Sequence, residues 1–464
     1  MKNRAGSAVK RAGLLVLAVV ASAVMIVLAM PPADVGPLGF VFIVPVMLAV
    51  QGRGFALGFA SGMGVLVLGA FLTRMGWFYR PSILDGDPGW NYAGFALFGL
   101  VVGFTCAFAG EMKRADKWTP WVLAALAVLL EAALLLYLPA HLGLTQYRAY
   151  PAMKIASFGG VWAVSYMVWS VNFLIVRGIA THSRKLVAAC AVFVGLFWGV
   201  SAFTGDPQHG SFKVAAVQTE ALDIEKLTEL TLGASFQDAM IVVWPELSSE
   251  LIARAGETEQ LRQLGQENWS APFVTSFEDD ATPLPYNVAA VFGDDGESER
   301  YKKRKPFGAE SKIHAAGTEA VAVKVEDVTY GLNICFDSCF PYVMRETAKL
   351  PGVEVILLPT LDPRAPFGSV QAMHAAYTPF RAAELGLPIV RADTTAYSMV
   401  VDSRGVIVAE AGSGTEEVLV AGIVPGKRWT FYRIAGDWFL YLCGVLVVVG
   451  SVLGRKAKRP APSE

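Results

Sequence analysis

Cys335 is the residue of this sequence whose surroundings best suit a nucleophile. It ends the apolar run GLNIC, and the following residues, FDSCFP, indicate a turn over positions 336–341. A strand of this kind would aim the thiol, and a sharp turn after it would leave the sulfur open to substrate. One alternative is a cysteine that only packs in the core. Another is a disulfide with Cys339, but so short a spacing rarely satisfies disulfide geometry.

Two other charged groups stand where strands are predicted to end. Glu246 closes VVWPE at 242–246, and Lys303 lies in YKKRK at 301–305. A thiol with an ordinary pKa of about 8.5 is mostly protonated at neutral pH, and a carboxylate can accept its proton. A lysine ammonium can stabilise the negative charge that develops on an attacked carbonyl oxygen. Together they would form a complete acyl-transfer set, although spacing alone also fits a helix start, a solvated lysine run and a packed cysteine.

Other chemistries have little support in the sequence. There is no CxxC, HExxH or glycine-rich phosphate loop, so we expect neither a metal site nor a diffusible cofactor. Of the five histidines, His209, His314 and His374 lie in the polar part of the chain, and they form no Ser-His-Asp pattern. The net charge of −1 argues against nucleic acid as a partner, because phosphate binding needs a basic face.

The elements around these residues are predicted to include membrane helices. Of the 464 residues, 54% are hydrophobic and only 17% are charged. A spanning helix needs about 20 apolar residues. The candidate spans are residues 12–30, 38–50, 55–72, 92–109, 121–138, 156–176, 186–203 and 438–453. The sequence therefore predicts seven spans before a large polar segment and one after it.

The basic residues that flank the spans predict their orientation. One set of flanks holds fifteen Lys and Arg residues, and the short loops on the opposite side hold four. Since the basic side marks the cytoplasm, both termini are predicted to be cytoplasmic and the polar segment to lie outside. We therefore divide the chain into a bundle of seven helices (1–204), an outer domain (205–436), an eighth span (437–454) and a cytoplasmic tail (455–464).

The outer segment alternates strand and helix patterns. Strands are predicted over 212–218, 239–244, 272–277, 286–292, 320–335 and 353–359, and a helix over 370–385. Further strands are predicted over 388–392, 398–401 and 406–409. Such alternation indicates layered α/β architecture.

The candidate residues also carry a resemblance to a known family. The order VVWPE, then Tyr-x-Lys, then GLNICFDxxFP resembles the nitrilase superfamily, whose Glu-Lys-Cys triad lies on a four-layer α-β-β-α sandwich. Seven spans before such a domain and one after it resemble its membrane-bound branch, the apolipoprotein N-acyltransferases. Further short matches, in the same order as in that family, are SFGGV at 157–161, PFG at 306–308 and RAAELG at 381–386.

The resemblance implies a role for individual residues. Glu246 would be the general base, Lys303 the charge stabiliser and Cys335 the nucleophile. Asp337 occupies the place of a family acidic residue, and Phe336 stands where the family usually has tyrosine. Glu310 would correspond to a second glutamate that normally follows Pro-Phe-Gly directly.

The chain departs from the family pattern in two places. Ala309 intervenes before Glu310, and the segment from the lysine to PFG is about two residues shorter, so Lys305 is an alternative to Lys303. The offset after Tyr301 favours Lys303. Residues 361–368, LDPRAPFG, replace the usual Asn-Asp-x-Trp-Phe-Gly pattern, which flanks the substrate region in the family.

The resemblance implies acyl transfer from a phospholipid, through a cysteine thioester, to the N-terminal amine of a diacylglyceryl-cysteine lipoprotein. It also implies a monomer in the bacterial inner membrane, with the catalytic domain on the periplasmic side. One alternative is a membrane-anchored amidase that uses water as acceptor. A second is an inactive paralogue that acts as a scaffold, which the altered 361–368 loop would favour.

Overall fold

The computed structural model describes residues 2–72, 100–107, 119–134, 141–221, 223–235, 237–247, 258–266, 271–279, 281–362 and 368–456. Apolar helices occupy both ends of this chain. Their bounds are Lys2–Ala29, Val44–Val50, Phe55–Leu72, Thr119–Leu134, Tyr150–Ala180, Arg184–Thr204 and Trp438–Lys456. Residues 100–107 are also helical.

Within the described residues, three helical stretches are long and apolar enough to cross a membrane, namely Val9–Ala29, Tyr150–Ala180 and Arg184–Thr204. The other apolar helices are shorter. The predicted second span is divided into a 3-10 helix, Gly36–Phe40, and the helix Val44–Val50, with Pro45 in the first turn of the latter. Much of the predicted fourth span lies outside the described residues.

The long helix Tyr150–Ala180 contains a kink at Gly160. Gly160 has φ 70° and ψ −177°, a backbone conformation that is essentially restricted to glycine. An added Cβ would lie only 2.5 Å from a ring carbon of Tyr432. Glycine is therefore required here both by the backbone and by the close approach of the polar domain.

The polar segment forms two β-sheets. Its strands are β1 Phe212–Gln218, β2 Val242–Val243, β3 Phe273–Glu278, β4 Asn287–Gly293, β5 Gly296–Glu297, β6 Tyr301–Lys302, β7 Val321–Val325, β8 Val328–Leu332, β9 Val353–Thr360, β10 Ile389–Asp393, β11 Met399–Val401, β12 Ile407–Glu410 and β13 Glu417–Ile423. The first sheet has the order β13-β1-β2-β3-β4-β5, with β6 also paired to β4. The second has the order β12-β11-β10-β9-β8-β7. Parallel pairs, β1 with β2 and β9 with β8 and β10, form the centres of the sheets.

The two sheets pack face to face, and helices cover their outer faces. Along β1, Val214 and Ala216 point into a core shared with the second sheet, whereas Ala215 and Val217 pack on the opposite side. This alternation follows from the two-residue period of a strand. The outer helices are Ile224–Ser235 and Thr258–Gly265 on the first sheet, and Pro341–Lys349, Gly368–Ala375 and Tyr377–Leu385 near the second. The domain is a four-layer α-β-β-α sandwich, as predicted.

Two predicted elements of the polar segment are each divided in the structure. The single strand predicted over 320–335 is a hairpin of β7 and β8, turning at Glu326, which has φ 50°. The single helix predicted over 370–385 is interrupted at Ala376. Pro379 explains the interruption, because it has no N–H to donate to the carbonyl of residue 375.

The apolar helices and the sandwich share one continuous core. Trp162 and Tyr150 of the kinked helix belong to the same buried cluster as Phe340, Tyr377 and Phe380 of the polar domain. Cys339, at the end of the turn that begins with Cys335, is buried in this cluster as well. The contact therefore brings the candidate nucleophile's turn against the apolar helices.

Candidate active site

The turn that carries Cys335 follows β8. The strand ends at Leu332, and the N–H of Asn333 still donates to the carbonyl of Leu357 on β9, at 3.2 Å. A 3-10 helix, Cys335–Cys339, comes next. Cys335 has φ 48°, the left-handed region that non-glycine residues seldom adopt. The strand thus fixes the direction from which a strained turn presents the thiol.

Asp337 and Phe336 hold this turn from two sides. The carboxylate of Asp337 accepts the N–H of Ile334 at 3.0 Å, the hydroxyl of Tyr301 at 2.8 Å and the N–H of Lys305 at 2.9 Å. Burial raises the pKa of Asp337 to about 6. The ring of Phe336 meets Phe307 and Phe340 edge-on, with centroids 4.7 and 5.2 Å apart. Both side chains shape the site without being placed to react.

Glu246 lies just beyond β2 and is closed off from solvent. Its Oε1 accepts from Lys303 Nζ at 2.6 Å and from Asn287 Nδ2 at 2.7 Å. Its Oε2 accepts from the N–H of Leu361 at 3.0 Å. A carboxylate oxygen can accept two hydrogen bonds. Among the described residues, Oε2 accepts one, from Leu361, so it can accept a second.

Lys303, rather than Lys305, points at the two glutamates. Its Nζ lies 2.6 Å from Glu246 and 2.7 Å from Glu310, and its side chain is 2% exposed. Lys305 Nζ instead lies over the rings of Phe340 and Tyr342, 5.1 and 5.2 Å from their centroids. Of the two lysines considered from the sequence, Lys303 is therefore the one that contacts the glutamates.

The ionisable groups of this site shift one another's pKa values. Burial would lower the pKa of Lys303, but the negative charges of Glu246 and Glu310, and of Cys335 when it is ionised, outweigh burial and hold this pKa well above its usual range. Burial would raise the pKa of Glu310, but Lys303 lowers it to about 2. Burial and then Glu246 raise the pKa of Cys335 well above its usual range, while Lys303 lowers it. A thiol with a raised pKa is protonated at neutral pH, so Cys335 would have to give its proton to a base before it could act as a nucleophile.

Asn287 was not singled out from the sequence, yet it joins the two carboxylates. It begins β4, and its Nδ2 donates to Glu246 at 2.7 Å and to Glu310 at 3.0 Å. An asparagine at the start of an apolar strand gives no sequence signal, because only the pairing of β4 with β6 places it beside Lys303.

His374, in the Gly368–Ala375 helix, is a further buried polar residue that contacts the turn of Cys335. Donor atoms of Cys335, Asp362 and His374 all lie within 4.8 Å of one another, a combination that can bind metal ions. Asp362, however, is already paired with both His374 and Arg391. The guanidinium already supplies the positive charge that a metal ion would bring. In the sequence, His374 belongs to no Ser-His-Asp pattern and to no HExxH motif.

Cys339 does not form a disulfide with Cys335. All five cysteines of the chain are free thiols. Cys339 is buried, and this burial raises its pKa above the usual range.

The segment that departs from the family pattern touches the site through its backbone. The N–H of Leu361 donates to Glu246, and its carbonyl lies 3.7 Å from the Cys335 sulfur. These contacts do not depend on which side chain occupies position 361. Residues 363–367 of this segment lie outside the described residues.

Comparison with known proteins identifies the class. The sequence model for the carbon-nitrogen hydrolase family matches residues 213–428, which include every site residue described above and both sheets except Phe212. The protein thus has a nitrilase-like α/β domain with a buried cysteine, lysine and glutamate, joined to apolar helices. The model for the apolipoprotein N-acyltransferase N-terminal domain matches residues 22–174. With both models matched in this order, the chain belongs to the apolipoprotein N-acyltransferase family.

Two relatives of that name match nearly the whole chain. An apolipoprotein N-acyltransferase of Geobacter metallireducens is 25% identical, over 95% of this chain and 96% of its own. One of Thermotoga maritima is 26% identical, over 94% and 93%. Among solved structures, an amidase from Nesterenkonia sp. is 20% identical with a TM-score of 0.43, covering 51% of this chain and 97% of its own.

Proposed function

We propose that this protein transfers a fatty acyl chain from a phospholipid to the N-terminal amine of diacylglyceryl-cysteine apolipoproteins. The observation that carries the proposal is the shared core, in which the turn bearing Cys335 packs against apolar helices. A small soluble amide needs no such platform, whereas two lipid-anchored substrates do. The relatives named apolipoprotein N-acyltransferase, matched over nearly their whole length, support the same activity.

In the first half-reaction, Cys335 attacks an ester carbonyl of the phospholipid. Glu246 accepts the thiol proton on the free lone pair of Oε2, and the sulfur forms a bond to the acyl carbon. Lys303 stabilises the negative charge on the carbonyl oxygen. The ester C–O bond breaks, the proton passes from Glu246 to the departing alkoxide, and a lysophospholipid leaves a thioester on Cys335.

In the second half-reaction, the α-amino group of the lipoprotein attacks the thioester. Glu246 accepts a proton from the amine as the C–N bond forms, and the C–S bond breaks. The proton then returns to the Cys335 sulfur, which restores the thiol. The products are an N-acylated lipoprotein and the free enzyme, and no step needs a metal ion or diffusible cofactor.

Three further residues support this chemistry without reacting. Glu310 pairs with Lys303 and keeps the ammonium beside Glu246. Asp337 holds the turn of Cys335, and Phe336 packs over it.

We further propose eight membrane spans, seven before residues 205–436 and one at 437–454, in a monomer of the bacterial inner membrane. The excess of Lys and Arg on one set of loops supports a periplasmic domain and a cytoplasmic 455–464 tail. This orientation would give Cys335 access to phospholipid and to lipoproteins in the outer leaflet.

The proposal is tested with purified protein, phospholipid carrying a labelled acyl chain and a synthetic diacylated lipopeptide. We expect a labelled thioester on Cys335 and transfer of the label to the peptide amine, both lost in Cys335→Ala. Release of free fatty acid with no labelled peptide would instead indicate a hydrolase. If the parent and Cys335→Ala behave alike, with no acyl-enzyme in either, the protein is a scaffold.

A further inference from the structure

His374 contacts the backbone of the residue proposed as nucleophile. Its Nε2 lies 3.2 Å from the carbonyl oxygen of Cys335 and 3.0 Å from Ser338 Oγ. The hydroxyl of Ser338 donates to the same carbonyl at 2.8 Å. An imidazole and a hydroxyl thus converge on one peptide group of the turn.

His374 is itself held by a chain of buried charges. Its Nδ1 lies 2.7 Å from Asp362 Oδ1, and Asp362 is bound in turn by the guanidinium of Arg391. Arg391 also donates to Asp393 at 2.6 Å. Burial would raise the pKa of Asp362, but His374 and Arg391 lower it to about 2. Since this carboxylate is ionised and only accepts, Nδ1 carries the proton that joins them. The Cys335 carbonyl also only accepts, so its hydrogen bond with Nε2 requires a proton on that nitrogen as well.

This chain of contacts spans separate elements of the fold. Asp362 follows β9, Arg391 and Asp393 lie in β10, and His374 lies in the Gly368–Ala375 helix. Arg391 and Asp393 are fully buried, and the exposed fractions of Asp362 and His374 are 5% and 8%. Side chains locked by packing and by further hydrogen bonds hold their partners in one geometry.

The turn at Cys335 needs such support. Its φ of 48° lies in the left-handed region, where a residue with a side chain persists only when its surroundings fix it. Asp337 fixes the turn from the preceding peptide, through the N–H of Ile334. The carbonyl of Cys335 is restrained separately, by the hydroxyl of Ser338 and by His374 Nε2.

We propose that His374, oriented by Asp362, is a positioning residue that holds the Cys335 carbonyl and thereby aims the thiol at Glu246. This inference rests on the proposed role of Cys335 as nucleophile. His374 touches the backbone of the nucleophile, and no proton transfer to substrate is assigned to it. The expected signature is a slower reaction at Cys335 without weaker binding of phospholipid.

The test compares His374→Leu and His374→Gln with the parent in the full-length protein. Leucine removes both ring nitrogens, whereas the glutamine amide can still donate to the Cys335 carbonyl. We expect His374→Leu to slow both iodoacetamide modification of Cys335 and acyl-enzyme formation by about tenfold or more, with KM for phospholipid unchanged. His374→Gln should recover most of that loss. Peptide mass spectrometry assigns the modified cysteine.

Met373→Leu is the matched control, because it changes the neighbouring buried residue of the same helix at similar volume. It should leave both rates unchanged. Thermal midpoints identify any variant that fails to fold, and Asp362→Asn, which keeps the side-chain shape, replaces His374→Leu in that case.

The proposal is overturned if folded His374→Leu reacts within about twofold of the parent, or if glutamine gives no more recovery than leucine. The alkylation comparison needs no lipid substrate. It therefore decides the role of His374 even if the parent protein transfers no acyl chain, an outcome that would reject the proposed function alone.

Discussion

Glu384 accepts the backbone N–H of Val161 at 2.7 Å through Oε1, and so joins the polar domain to the kinked helix. The kink at Gly160 frees that N–H from the usual helical pairing. Oε2 of the same carboxylate lies 2.8 Å from Arg381. One fully buried side chain thus completes both a helix backbone in the apolar bundle and an ion pair in the sandwich.

Gly160→Ala should disrupt the contact between Glu384 and the Val161 N–H, which we call the junction. The new Cβ would lie 2.5 Å from the Tyr432 ring and 3.3 Å from Glu384 Oε1, in a backbone conformation that alanine does not adopt. We expect the free energy of unfolding to fall by on the order of 3 kcal/mol, measured as a lower thermal midpoint in detergent.

Gly195→Ala is the control for that experiment. Gly195 is also in an apolar helix, but an added Cβ meets nothing within 4 Å. The change should leave stability equal or raise it by up to about 1 kcal/mol, because alanine is the better helix former. Equal losses in both variants would contradict the role assigned to the kink.

The stability of the junction should depend on pH. Burial raises the pKa of Glu384 to about 7, against a lowering influence of Arg381. Since the folded pKa lies above the unfolded one, this contribution is complete below about pH 4.5 and is lost as the pH rises through 7. The loss is on the order of 3 kcal/mol.

Glu384→Gln cannot ionise and should therefore flatten the decline. Thermal midpoints of the parent and of the variant, measured between pH 4.5 and 8, provide the comparison. Asp337 and Asp393 also have raised pKa values and contribute slopes of the same sign, so the difference between the two proteins is the quantity to examine. Parallel curves would show that Glu384 does not ionise differently on folding.

Lys303→Met should abolish acyl-enzyme formation. It removes the cation that Glu246 and Glu310 share and leaves two carboxylates in a closed site. Breaking a buried ion pair in this way destabilises a fold by about 3–5 kcal/mol. Intact-protein mass spectrometry after incubation with phospholipid reports the acyl-enzyme, and a thermal midpoint reports the stability.

Lys305→Met removes an equal charge two residues away. Its ammonium lies over two aromatic rings, so the expected loss is about 1 kcal/mol, with acyl-enzyme formation retained. A Lys305 variant that loses the acyl-enzyme while the Lys303 variant keeps it would reverse the assignment.

Leu361→Asn should have little effect on the first half-reaction. The contacts of Leu361 with Glu246 and with the Cys335 sulfur are made by its backbone, and its side chain is 39% exposed. We expect acyl-enzyme formation within about threefold of the parent. Leu361→Pro, which removes the N–H that binds Glu246, should slow it by about tenfold or more. Similar rates for the two variants would show that the backbone contact is unimportant.

The sequence predicted the sandwich and the residues at its centre because strand endings carry a local signal. Glu246 and Cys335 each follow an apolar strand, one in each sheet, and the face-to-face packing of the two sheets brings these strand ends together. The choice of Lys303 over Lys305 rested instead on the offset after Tyr301, because both lysines lie in one short basic segment. The pairing of β6 with β4 decides it.

The residues that bind these side chains could not be identified from motif spacing in the sequence. Asn287 reaches the carboxylates across paired strands, and His374 reaches Cys335 from a helix 39 residues later in the chain. Their side chains contact the site only after the strands have paired and the helix has packed on the sheet. The same applies to Glu384, whose backbone partner lies 223 residues away.

The core shared by the sandwich and the apolar helices has a consequence for solubility. If residues 205–436 were produced alone, Phe340, Val343, Tyr377 and Phe380 would lose the helices that cover them and would face water. A contiguous apolar patch of this kind drives association between molecules. The catalytic half should therefore aggregate when excised, although its two sheets and their helices are complete.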